Sequence, residues 1–259
     1  MTRGLQRTTF NRSGLVRLLS DTTPEVIDPK YDFGERLGQW LDFSDALALF
    51  SVLNQTAGPG TSTVPGTQAA ALSAQLHHVR SQLGTAILAD GVFNDSGENP
   101  APRHRFPTPL PGASAEAAAD YAPCHRYYLA HQRDMSSALA ALRNNARKAL
   151  LQGSPAQRQL AELDAGFDKI LASRERTLLA NIPILLARRH AQRYQEHRHA
   201  MPTGNEDDPT QWTQPGGWLE AFCQDTQAVL LAELDLRLKP VAGLIAALGE
   251  ADPHTDTEQ

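Results

Sequence analysis

Residues 123–199, PCHRYYLAHQRDMSSALAALRNNARKALLQGSPAQRQLAELDAGFDKILASRERTLLANIPILLARRHAQRYQEHRH, decide the fold class. The first part sets Tyr128, Met135, Leu139, Leu142, Ala146 and Leu150 on one side of a helix, and Gly153 closes it. Ser154-Pro155-Ala156-Gln157 then reads as a fresh start. Serine at the N-cap accepts an orphan amide, proline at the first helical position has no N–H to leave unpaired, and glutamine stands where a capping box needs it. So short a connection makes the two arms antiparallel, Pro123–Gln152 against Pro155–His199. The second arm repeats Leu160, Leu163, Phe167, Ile170, Arg174, Leu178, Asn181, Leu185 and Arg189 at intervals of three and four. As one straight helix it would be roughly 68 Å long, whereas a compact globule of this chain length is about 47 Å across. It must protrude or bend, and Pro183, which removes a helical hydrogen bond, is where a kink is expected.

Working outward, the same period recurs. Leu37, Trp40, Leu41, Leu47, Phe50 and Leu53 share helical spacing before Gly58-Pro59-Gly60, with Trp40 expected in the core. Leu72, Leu76, Val79, Leu83 and Ala86 follow, stopped by Asp90-Gly91. Toward the end Leu231, Leu234, Leu238, Val241, Ile245 and Leu248 repeat in a helix from about Trp218, with a second kink expected at Pro240. Sustained period-2 alternation is missing. The reading is all-α: an elongated helical bundle containing the antiparallel hairpin and a long C-terminal helix. Asn99–Gly112 holds five prolines in fourteen residues, so it is extended. It divides the chain into a basic arm and helical unit (1–98, with a short helix capped at Ser13), a proline-rich linker or loop (99–113), a long-helix bundle (114–249) and an acidic, disordered tail (250–259).

Of the 259 residues 41% are apolar and 20% charged, which excludes wholesale disorder. No apolar run approaches the ~18–20 residues that span a bilayer, so no membrane insertion is expected. Net charge is −5, so the chain as a whole is no nucleic-acid binder by charge. Two cysteines, Cys124 and Cys223, are too few for a disulfide scaffold or a four-thiolate zinc site. That cysteine usage makes a reduced, cytoplasmic setting the expectation, and the first twenty residues do not read as a secretory signal.

Catalytic signatures are missing: there is no G-x-S-x-G, no phosphate-binding G-x-x-x-x-G-K-[ST] and no H-E-x-x-H. No catalytic residue, cofactor or metal site is assigned. Cys124-His125 near a helix start suits a nucleophile but suits a small buried residue better, and His131 reads as a hydrogen-bonded residue at the bundle edge. His190, His197 and His199 lack the spacing of three or four that puts metal ligands on one helical face. The sharpest chemical candidate is the basic stretch Arg188–His199. Arg188, Arg189, Arg193 and Arg198 could grip phosphates, with Tyr194 available for stacking. Equally, basic residues complement the carbonyl end of a helix, and they could meet an acidic partner or the chain's own Glu206-Asp207-Asp208. Trp212 and Trp218 bracket Gly216-Gly217; they either anchor that loop on the bundle or offer an aromatic patch to a partner.

Five stretches together resemble a proteobacterial family, domain-of-unknown-function family 3348: TFNRSGLVRLLSD (9–21), GERLGQWLDFSDALALFSVLN (34–54), YYLAHQRDM (127–135), ASRERTL (172–178) and WLEAFCQDTQAVLLAELDLRLKPVAGLIAAL (218–248). The resemblance implies no activity, cofactor or site residue, and it points to an envelope-associated protein as a partner. Three segments with apolar rows over many turns carry more seam than one small core uses. The expectation is therefore a non-enzymatic scaffold or interaction protein, docking a protein partner or a second copy of itself. The alternative is a nucleic-acid-associated bundle working through Arg188–His199.

Overall fold

The C-terminal repeat builds the central element. In a computed structural model, which describes residues 14–22, 39–54, 66–89, 103–202 and 206–249, this helix spans Trp218–Gly249 and is called α7 below. Leu234, Leu238, Val241, Ile245 and Leu248 are buried, as their spacing predicts, while Leu231 at the head of the row is only partly buried. A second row is buried too, from Leu219, Phe222 and Cys223 through Val229, Leu230 and Leu244. A helix apolar on most of its circumference is stable only when enclosed, and each fully buried Phe, Val or Leu adds about 2 kcal/mol. The helix runs without interruption through Pro240, which lies on the solvent side.

Around α7 lie α1 (Gly14–Thr22), α3 (Gly66–Leu88), α4 (Ala122–Leu150) and α6 (Ile182–Ala200), while α2 (Phe43–Asn54) rests on α5 (Pro155–Leu179). Short turns occupy Ala115–Ala118 and Pro209–Gln211, and no strand occurs among the described residues. The fold is an all-α bundle.

The hairpin forms at the expected place. Ser154 Oγ accepts from Gln157 N at 3.3 Å, and Ser154 N donates to Gln157 Oε1 at 2.9 Å. Charge then locks the arms together. Arg143 and Arg147 on α4 each bridge Asp164 and Asp168 on α5, at 2.6 to 2.8 Å, with all four groups partly shielded from solvent. Such bidentate guanidinium–carboxylate forks fix register as well as adding energy.

The second arm differs from expectation. It is two helices, α5 and α6, separated at Ala180 and Asn181. Pro183 stands in the first turn of α6, where an N–H would be unpaired anyway, so it starts a helix instead of kinking one. The 25 and 19 residues of α5 and α6 span only about 38 and 28 Å, so neither has to protrude.

The proline-rich stretch has no regular secondary structure from Arg105 to Leu110 and inserts Phe106 into the core against Tyr127 and Phe222. Leu15 of α1 and Ile87 of α3 belong to the same cluster as Phe222 and Trp218. The core is thus shared across the proline-rich stretch. Near the hairpin turn, Leu72 packs with Leu142, Leu150, Leu244 and Leu248 in a second cluster. The basic arm with its Ser13 cap, the stops at Gly58-Pro59-Gly60 and Asp90-Gly91, residues 99–102 and the acidic tail lie outside the described residues.

Candidate functional site

Most of the basic stretch turns inward. Arg189 Nε and Arg193 Nη2 donate to Asp225 Oδ2 of α7 at 2.9 and 3.0 Å. His197 Nε2 lies 2.9 Å from Asp207 Oδ1, so one member of the stretch does meet the acidic loop. Tyr194 packs on Trp212 and Trp218, with ring centroids 5.6 and 5.4 Å away. His190 is buried against Trp218 and Phe222. His190, Tyr194 and His197 recur at four and three, so an aromatic row of α6 docks while Arg189 and Arg193 brace it from the side. Arg188 and Arg198 are exposed. The four arginines and the tyrosine therefore do not converge on one surface.

Trp212 and Trp218 are buried with their rings 5.1 Å apart, and Trp212 Nε1 donates to Asp207 Oδ1 at 2.7 Å. The loop between them needs both glycines for different reasons. Gly216 adopts φ +86°, a left-handed conformation that L side chains rarely take. At Gly217 an added Cβ would fall 2.1 Å from the Trp212 carbonyl oxygen. That carbonyl accepts from Leu219 N and Glu220 N, two amides of the first turn of α7.

Three of the residues weighed for chemistry, Cys124, His131 and His190, are buried. Cys124 is buried, and desolvation, with Asp120 adding to it, pushes its thiol up to about 12, so it stays protonated at neutral pH. His131 departs from expectation: it is buried beside Tyr127 and His104, and its Nε2 has no hydrogen-bond partner. Burial depresses both His131 and His190 to about 4. His77 and His78 are exposed. Among the described residues no group of three or more His, Cys, Asp or Glu is placed to hold a metal ion, and no helix is long and apolar enough to cross a membrane.

Two features were not picked out by sequence reasoning. Glu233 of α7 is wholly buried, accepting from Tyr128 Oη at 2.5 Å, Gln132 Nε2 at 3.0 Å and Arg237 Nε at 2.8 Å. Beside it a groove of about 700 Å³ opens between α4, the α5–α6 junction and Arg237. His125, Arg126, Arg133, Arg176 and Arg237 line it, over a floor that includes Leu129, Leu179 and Pro183. The other feature is an uncovered ridge. On α2 only Leu49 is buried, its methyl 3.2 Å from where a Cβ on Gly166 would stand. Phe43, Leu47 and Phe50 are 85%, 58% and 63% exposed, and Leu53 is exposed beside them. Trp40, expected in the core, is half-buried.

Residues 1–250 match the family described as a protein of unknown function, DUF3348. The chain belongs to the DUF3348 family. No curated protein and no solved structure matches it. All the features above fall inside the matched DUF3348 region, including the α2 ridge, the Trp212–Trp218 loop and the arginine-lined groove.

Proposed function

We propose that this DUF3348 protein is a non-enzymatic helical interaction module that docks through the α2 ridge, and that the ridge pairs with a second copy of itself. The observation that supports this is the order Phe43, Leu47, Phe50 on one exposed helical face. The order is close to palindromic. An antiparallel two-fold contact sets Phe43 of one copy against Phe50 of the other, with Leu47 meeting Leu47 at the centre. From Phe43 to Asn54 the helix carries one charge, Asp45, so self-contact brings few like charges together. Large apolar groups left in water at this density mark contact surfaces more often than chance exposure does. An envelope-associated assembly as the further partner of such a dimer rests on the family resemblance.

Two twelve-residue helices make a small interface, below the standard of about 1,600 Å², so association should depend on concentration. Light scattering after size exclusion should show the mass rising from 28.2 kDa toward twice that value with loading. Leu47→Glu places like charges opposite each other at the two-fold axis and should hold the mass at the monomer value with unchanged helicity. A wild-type mass that stays at 28.2 kDa at every loading overturns the self-pairing.

A further inference from the structure

We propose that the groove between α4, α5, α6 and α7 binds a small organic polyanion, with phosphate or several carboxylate groups carried on an apolar body. Its cations come from separate elements. Arg126 and Arg133, seven residues apart, share a face of α4, Arg176 comes from the last turn of α5, and Arg237 from α7. Among the described residues Arg126, Arg133 and Arg176 have no carboxylate partner. Arg133 and Arg176 spend only their Nε on backbone carbonyls one turn back, 3.3 and 3.2 Å away. That holds each stem and leaves the outer nitrogens of the fork available.

Arg237 is different in kind. Its Nη2 lies 2.7 Å from the buried Glu233 carboxylate, and its Nη1 donates to Ser136 Oγ at 3.3 Å and stands 3.7 Å from Glu175. It is a fixed cation whose charge is largely offset, so the three α4 and α5 arginines set the field. Among the described residues no carboxylate lines this groove. In a chain of net charge −5, three unpaired guanidiniums converging on one concavity are not an average of the surface composition. Planar forks match phosphate and carboxylate oxygens, and weakly hydrated guanidinium gives up water readily. Leu129, Leu179 and Pro183 between the arginines supply the apolar contact that a bare inorganic ion would not use. The volume suits a metabolite-sized ligand.

The test is calorimetric titration of the full chain at low ionic strength with inorganic pyrophosphate in one arm and citrate in the other, which separates phosphate from carboxylate recognition. Saturable one-site binding of at least one probe is expected, weakening as salt is raised. Arg133→Gln and Arg176→Gln should each weaken it about tenfold, and the pair should abolish it. Both side chains are exposed, so helicity and melting should not change; Lys148→Gln, on the far part of α4, should bind as wild type. Failure of both probes to bind, binding indifferent to the arginine variants, or binding of a single-stranded oligonucleotide with neither small anion overturns the proposal.

Discussion

Lowering the pH from 7 to 5 should unfold this bundle far more readily than its carboxylates alone would dictate. His131 and His190 are held near pKa 4 by burial, whereas in an unfolded chain each titrates near 6.5. Between those values the unfolded chain takes up protons that the folded chain refuses, so stability falls as pH falls from about 6.5 to about 4 and levels off below. At pH 5 each histidine binds one proton in the unfolded state and almost none in the folded state, a loss of about 2 kcal/mol per site and about 4 for both. Domains of this kind have ~5–15 kcal/mol in all. Urea unfolding followed by circular dichroism at pH 7, 6 and 5 measures it. Paired carboxylates such as Asp134, held below their usual range by His104 and Arg103, act at lower pH and leave the window clear. His190→Phe fits among Tyr121, Trp218 and Phe222, and His131→Leu removes a ring whose Nε2 has no partner. The double variant should lose most of the slope between pH 7 and 5. A wild-type stability flat across that interval, or a double variant with the wild-type slope, refutes the reasoning.

Three further outcomes follow from the packing. Gly217→Ala drives a methyl into the Trp212 carbonyl and should cost at least about 2 kcal/mol in urea unfolding, while Gly84→Ala, with open space around it, should be neutral or stabilising. Asp164→Asn weakens two guanidinium forks at once and should cost about 2–3 kcal/mol, visible as a lower urea midpoint, with Arg143→Lys costing less. Glu233→Ala leaves Arg237 without its main counter-charge and opens a buried void, so a loss of about 3–5 kcal/mol is expected by the same measurement; Glu233→Gln, which retains the shape and one acceptor oxygen, should cost less.

The fold was legible wherever one residue's chemistry has one use. Ser154, Pro155 and Gln157 can hardly serve anything but a helix start, and the capping box stands there. Periodicity was a weaker guide because it is blind to interruptions of a turn or less. The row from Leu160 to Arg189 keeps its spacing across Ala180 and Asn181, where only two residues part the helices and turn hydrogen bonds bridge the gap. The proline at 183 carried the correct information, but its place in a helix, first turn or interior, depends on where the previous helix ends. Likewise Leu47, Phe50 and Leu53 share helical spacing with true core residues, yet Leu49, outside that series, is the one that packs. An apolar face has to exist on both partners before either is buried.

The basic stretch shows why sites are harder to read than folds. Arg189, Arg193 and His197 lie four residues apart in the basic stretch, and in the structure each is tied to a carboxylate. Their partners Asp225 and Asp207 lie on another helix and in a loop, brought close only by docking α6 on α7. A run of like charge is therefore a poor sign of a binding surface when the chain elsewhere supplies compensating charge. The groove is the converse. Arg126 and Arg133 stand alone in a mixed sequence, Arg176 is some forty residues on and flanked by Glu175, and nothing in one dimension ranks them above other surface arginines. What distinguishes them is that folding brings them to one concavity while leaving their charge uncompensated, a difference between attraction available and attraction already satisfied that only three dimensions record.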